Sequence, residues 1–279
     1  MRIYLILLSA LLLAPLGAVG SASPVQANSS SDNDSQATNE PLLKPVFIDF
    51  ETMLVNGVES TLTAGSYITG DEWAGYGVTI TAESNRKRKL DGETLLPLRL
   101  FDSDCRPKGV TDPTYQALPI CSGGDHDLAT GDYFGTESQG NVLIIQEDNS
   151  KKRDRDNLGT PDDDARGGKM IFDFVNAVTD ITLGFLDFDD RDRGEGYIKL
   201  FTDADDENPV IFNLSDIPIL NAQFQGDNSM RIIQGGEIAF KRMEVEYPGS
   251  GAITHLCYVP EVAPGGSKNW ADSPESCRW

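Results

Sequence analysis

The sequence predicts an all-β fold, a two-sheet antiparallel β-sandwich of jelly-roll-like character, on three observations. Apolar residues recur with a period of two almost everywhere after residue 44. Clusters of Gly, Asp, Asn and Pro separate these runs, as at 122–127, 157–168, 187–196 and 203–209. No window of about twelve residues carries a helical apolar stripe free of Gly or Pro. Many short strands joined by long loops, with no repeating helix, bury their apolar faces by packing two sheets together.

Along the chain, Val46, Ile48 and Phe50 alternate with Phe47, Asp49 and Glu51, which predicts a first strand with one face inward. Further strands are expected at 77–83, 96–101 and 141–147. Met170, Phe172 and Phe174 then alternate with Ile171, Asp173 and Val175, and a separate strand is expected at 181–188. Ile198 and Leu200 alternate with Tyr197, Lys199 and Phe201, followed by strands at 210–213, 230–234 and 253–259. Between 237 and 247 the apolar phase runs Ile238, Phe240, then Met243, Val245, Tyr247. The slip in parity at Lys241 and Arg242 predicts a β-bulge.

The N-terminus carries one early charge, Arg2, a mostly apolar run from Ile3 to Leu16 and an Ala-rich exit. This is the pattern of a secretory signal peptide, with cleavage acceptable after Ala22 or after Ala27. The run is broken by Pro15 and short for a bilayer, and no long apolar run occurs beyond residue 30, so the mature chain is expected not to insert in a membrane. The organisation expected is a signal peptide at 1–27, a polar disordered leader at 28–43, one sandwich domain at 44–260 and a Cys-tethered tail at 261–279.

The 279 residues include 44 acidic and 23 Lys or Arg residues, a formal net charge of −21. Removing residues 1–27, whose one charged side chain is Arg2, takes −21 to −22. Such a charge repels nucleic acid and anionic membranes and attracts divalent cations. Four cysteines, Cys105, Cys121, Cys257 and Cys277, predict two disulfides in an oxidising compartment. Of the three connectivities, Cys105 with Cys121 and Cys257 with Cys277 is favoured, because each pair brackets a short, turn-rich segment. The rival zinc site lacks any CxxC spacing.

Several phrases, in order, resemble uncharacterised bacterial extracellular domains found in proteins with exosortase-type (PEP-CTERM) surface-sorting signals. They are Phe47-Ile-Asp-Phe-Glu51, Gly77-Val-Thr-Ile80, Leu100-Phe-Asp-Ser103, Gly124-Asp-His-Asp-Leu128 and Gly140-Asn-Val-Leu-Ile-Ile145, followed by Asp163-Asp-Ala-Arg-Gly-Gly168, Leu183-Gly-Phe-Leu-Asp187 and Gly249-Ser-Gly-Ala-Ile253. The resemblance covers roughly residues 46 to 258 and implies a secreted β-sandwich. The chain departs from the sorted members in its Cys-bearing segments, and it is expected not to carry their C-terminal anchor.

The acidic loops are the strongest functional signal. Asp102 and Asp104, Asp125 and Asp127, Asp162 to Asp164, and Asp187, Asp189 and Asp190 are spaced so that alternate carboxylates point the same way. Ca²⁺ takes six to eight oxygen ligands, which flexible Asp/Gly loops supply; the ligands expected are Asp102, Asp125, Asp127, Asp163 and Asp164. Asp also favours turns, and an acidic secreted protein solvates such loops without an ion. The nearest EF-hand match begins at Asp162 but places Arg166 fifth and Asp173 twelfth, so no EF-hand is present.

Catalysis has little support. The two histidines, His126 and His255, accompany neither HExxH nor Gly-x-Ser-x-Gly. Carboxylate pairs alone would serve a glycosidase. A sugar-binding sandwich needs an exposed aromatic platform beside polar groups or Ca²⁺, and Trp73, Tyr76 and Tyr133, with Phe134, are the candidates, each also readable as a loop anchor on the core. The basic runs 86–89 and 151–155 read as solvated loops. The function expected is a secreted, non-catalytic, calcium-stabilised module that binds glycan or another extracellular polymer. A structural matrix protein without a ligand pocket is the alternative, and a polysaccharide-active enzyme comes third.

Overall fold

The computed structural model describes residues 44–261, apart from 86–97, 123–125, 148–159, 189–195, 204–206, 222, 225–226 and 237. The described residues form an all-β sandwich of thirteen strands. Eleven form one continuous hydrogen-bonded sheet, and β2 (Thr52–Val55) and β3 (Val58–Thr61) form a separate hairpin. The hairpin turns through Asn56 and Gly57, both at positive φ (54° and 76°), as a tight Asn-Gly connection requires.

The element that makes two layers from one sheet is β8 (Gly168–Leu186), nineteen residues long. Its first half pairs with β5 (Val78–Ser84) on one side and β12 (Phe240–Tyr247) on the other, and β12 continues to β9 (Tyr197–Phe201) and β10 (Val210–Asn213). Its second half pairs instead with β11 (Met230–Gln234) and β13 (Ala252–Pro260). Beyond β13 lie β1 (Val46–Ile48), β7 (Asn141–Ile145), β6 (Leu98–Asp102) and β4 (Tyr67–Ile68). The changeover falls near Asp180, a non-glycine residue at φ 47°.

The side-chain pattern of β8 records this double membership. From Gly168 to Phe174 the even-numbered residues are buried and the odd-numbered ones half-buried, as on a sheet with one wet face. From Ile181 to Leu186 every residue is buried, so this half is covered on both faces. Gly184 is required here, because a Cβ would overlap the side chains of Thr254 and His255. The two strands expected at 170–175 and 181–188 are therefore one. The bulge expected in β12 is present, as a register shift between Phe240 and Arg242.

Two cores follow. The main one lies between the layers and joins Val78, Ile80, Phe172, Ile198 and Val245 of the first layer to Leu98, Leu143, Leu183, Phe185 and Leu256 of the second. The smaller one lies on the outer face of the second layer, where Phe101, Val142, Ile144, Leu186 and Ala252 meet Cys105, Cys121, Leu128, Ala129 and Phe134. The excursion from residue 103 to 140 is thus a cap on the sandwich. Cys105 and Cys121 are disulfide-bonded within it, as expected. Cys257 is also in a disulfide; Cys277, its expected partner, lies outside the described residues.

Candidate functional site

The cap is held to the sandwich by two asparagines. Asn228, at φ 58°, donates its side-chain amide to the carbonyls of His126 and Ala129 at 2.8 and 2.9 Å, and its N–H to the carbonyl of Asp127 at 2.8 Å. Asn221 donates to the carbonyls of Phe134 and Asn228 and accepts the N–H of Met230 at 2.7 Å. Both are buried, so these bonds are sheltered from water and losing one leaves an unsatisfied group behind. They fix the segment 126–135 against the turn that leads into β11.

Three carboxylates converge at that junction. Asp127 comes from the cap, Asp187 follows the last residue of β8 and Asp227 precedes Asn228; one oxygen of each lies within 4.8 Å of the others. Asp187 is buried, Asp127 half-buried and Asp227 exposed. Asp187 occupies the left-handed region, φ 54°, which turns the chain sharply at the strand end. Of the expected metal ligands only Asp127 belongs to this group. Asp187 stood among the acidic loops, and Asp227 was missed, although Asp227-Asn228-Ser229 immediately before a strand is the signature of an ordered turn.

The other expected ligands have structural employment elsewhere. Asp102 accepts the N–H of Asp104, and Asp104 in turn accepts the N–H of Gly140 and the hydroxyl of Ser138, closing the base of the cap. Burial pushes the Asp102 carboxyl above its ordinary range; the Asp104 N–H opposes this and the Asp104 charge adds to it. Asp164 accepts the Ser84 hydroxyl at 2.7 Å and the Arg166 N–H at 3.0 Å. Asp163 accepts the N–H of Gly251 in a short bond. Both are buried acceptors that staple loops, so they do not join Asp127. Asp125, Asp189 and Asp190 lie outside the described residues, as do the runs 86–89 and 151–155.

The aromatic candidates separate cleanly. Trp73 has no exposed surface; its indole N–H donates to the carbonyl of Thr52 at 2.9 Å and its ring meets Phe50 edge to face at 5.2 Å. Tyr76 is buried and its carbonyl accepts the Tyr258 hydroxyl. Neither presents a ring face to a ligand, which corrects their reading as a platform. Tyr133 is different, being 46% exposed at the tip of the cap, with edge-to-face contacts to Tyr115 at 5.1 Å and Phe134 at 4.9 Å. Phe134 itself is buried. Beside Tyr133 lies a small cleft of about 30 Å³ whose lining includes Arg106, Val110, Tyr115, Leu118 and Asp132.

His126 is exposed, and its carbonyl helps seat Asn228. His255 is buried beside Thr254, whose hydroxyl lies 3.0 Å from its Nδ1, and desolvation lowers its pKa to about 4. No helix among the described residues is long and apolar enough to cross a membrane.

The fold and site together define an acidic β-sandwich with a disulfide-bonded cap that carries an exposed Tyr133 against a half-buried Tyr115, and a carboxylate cluster at its root. Comparison with protein-family models, with characterised proteins and with solved structures finds no match.

Proposed function

We propose that the protein is a secreted, non-catalytic, Ca²⁺-stabilised module that binds a glycan or another extracellular polymer through its cap. The observation that carries this reading is the pairing of Tyr133 and Tyr115 beside the cleft. Aromatic faces stack on the apolar faces of sugar rings, and the adjacent Arg106 and Asp132 supply polar groups to orient a hydroxylated ligand. The disulfide and the two asparagines hold this surface in place before a ligand arrives, which lowers the ordering cost of binding. The signal-peptide pattern, the acidic charge and the resemblance to exosortase-type extracellular domains support a location outside the cell.

A glycan array read with and without Ca²⁺ tests the proposal. Saturable binding to one sugar class that is lost in Tyr133→Ala is the expected result. Absence of binding in both conditions overturns it in favour of a structural matrix role, in which the acidic surface is what matters.

A further inference from the structure

We infer that Asp127, Asp187 and Asp227 form a single divalent-cation site, with Ca²⁺ the fitting ion, and that the ion clamps the cap to the sandwich. The inference deepens the calcium half of the reading above and is independent of its glycan half.

Geometry supplies the first argument. Oxygen ligands sit about 2.3 to 2.6 Å from Ca²⁺, so ligands on opposite sides of one ion are about 4.6 to 5.2 Å apart. Carboxylate oxygens mutually within 4.8 Å can therefore all touch the same ion. All the donors are hard oxygens, which suits Ca²⁺ and not Zn²⁺, whose structural sites favour nitrogen and sulfur.

A second observation is independent of the acidic cluster. The hydroxyl of Ser229 is wholly buried and has no hydrogen-bond partner among the described residues, and the same holds for Asp127 Oδ1. Ser229 stands across the ladder from Asp187. β11 pairs with β8 so that Met230 faces Leu186, and the next pair outward is joined by the Asp187 N–H donating to the Ser229 carbonyl at 2.9 Å. That bond sets Ser229 directly beside Asp187 at the junction. Buried oxygens left without donors are expensive in a protein interior, and a cation coordinated by them removes that cost. The exposed Asp227 opens the site to solvent and gives the ion a way in.

The three carboxylates come from three segments that do not otherwise share a strand: the cap, the end of β8 and the turn before β11. An ion between them would bind the folded cap and not the open one, and so would hold residues 126–135, Tyr133 included, in place.

The test uses the mature, oxidised chain and Tb³⁺ luminescence displaced by Ca²⁺, with amide hydrogen exchange as the second readout. Asn tolerates the left-handed conformation of residue 187, so Asp187→Asn keeps the backbone; Asp227→Asn changes an exposed position and guards against misfolding. One Tb³⁺ per chain is expected at this site, displaced by Ca²⁺ in preference to Mg²⁺. Affinity should fall about tenfold or more in each variant, as ligand charge is lost, and remain unchanged in Asp102→Asn. Exchange in 126–135 should slow when Ca²⁺ is added. Unaltered Ca²⁺ affinity in Asp227→Asn and Asp187→Asn overturns the site. Exchange in 126–135 that ignores Ca²⁺ overturns the clamp. Loss of glycan binding in Tyr133→Ala with Ca²⁺ affinity intact would leave both standing, so failure of the site and failure of the glycan reading are separable.

Discussion

Glu51 takes two hydrogen bonds from one residue, Asn141: its Oε1 accepts the backbone N–H at 2.6 Å and its Oε2 the side-chain amide at 3.0 Å. The pair joins the turn after β1 to the first residue of β7, ninety positions later in the chain. Asp49 orders the same turn by accepting the N–H of Glu51 at 3.0 Å. Hydrogen bonds to a charged acceptor contribute about 1.5–3 kcal/mol each, so Glu51→Ala should lower stability by about 3 kcal/mol in a urea titration. Gly140, at φ 60°, is pressed against the same carboxylate, and Gly140→Ala should cost a comparable amount. A loss under about 0.5 kcal/mol in both variants, the range of an ordinary surface change, would contradict this role.

The aromatic assignment predicts opposite behaviour at two positions. Trp73→Ala opens a cavity in the main core and should cost about 3–5 kcal/mol. Tyr133→Ala removes an exposed edge-to-face partner and should cost about 1 kcal/mol or less. Thermal unfolding of the two variants side by side settles the contrast, and a fragile Tyr133→Ala would mean the ring is a structural anchor.

Removing the Cys105–Cys121 bridge, sixteen residues apart, should lower stability by about 3 kcal/mol on the chain-entropy account. Both cysteines are buried in the smaller core, so the double Ala variant is the suitable form. Hydrogen exchange should rise first in the cap and leave β8 and β13 protected. Uniform loss of protection would show instead that cap and sandwich unfold as one.

His255 gives the fold a pH dependence of definite sign. The unfolded chain protonates this histidine near pH 6.5, whereas the folded chain keeps it neutral down to about 4 because burial disfavours the charged form. Stability from this group is complete above pH 6.5, declines as the pH falls toward 4, and is level below. At about 1.4 kcal/mol per pH unit the loss is about 3 kcal/mol. Urea midpoints at intervals from pH 7.5 to 4 should converge between the wild type and His255→Gln as the pH drops. Parallel curves would contradict the burial argument.

The strands were readable because period-two patterning is a local property. Val210–Asn213 and Met230–Gln234 fall where the alternation places them, and the Lys241–Arg242 slip is the observed bulge. The joining of 170–175 to 181–188 was not readable, since the turnover at Asp180 depends on which neighbours each half of β8 meets. The β2–β3 hairpin carried a signal in Asn56-Gly57 that was passed over. For the site, Asp127 was legible as an acid in a Gly/Asp loop, but its partners are set by how the cap lies over the outer face of the second layer. Trp73 and Tyr133 differ in nothing local; only packing makes one a core residue and the other an exposed ring.

The most direct measurement is the thermal unfolding of the mature, oxidised chain in EDTA, in millimolar Ca²⁺ and in Mg²⁺ at matched ionic strength. At a Ca²⁺ concentration 100 times Kd, linkage gives about 2.7 kcal/mol per site, a rise of several degrees in Tm. The account predicts that rise with Ca²⁺ and only a small one with Mg²⁺. Equal Tm values in Ca²⁺ and Mg²⁺ would contradict it and leave Asp127, Asp187 and Asp227 as turn residues that hold no ion.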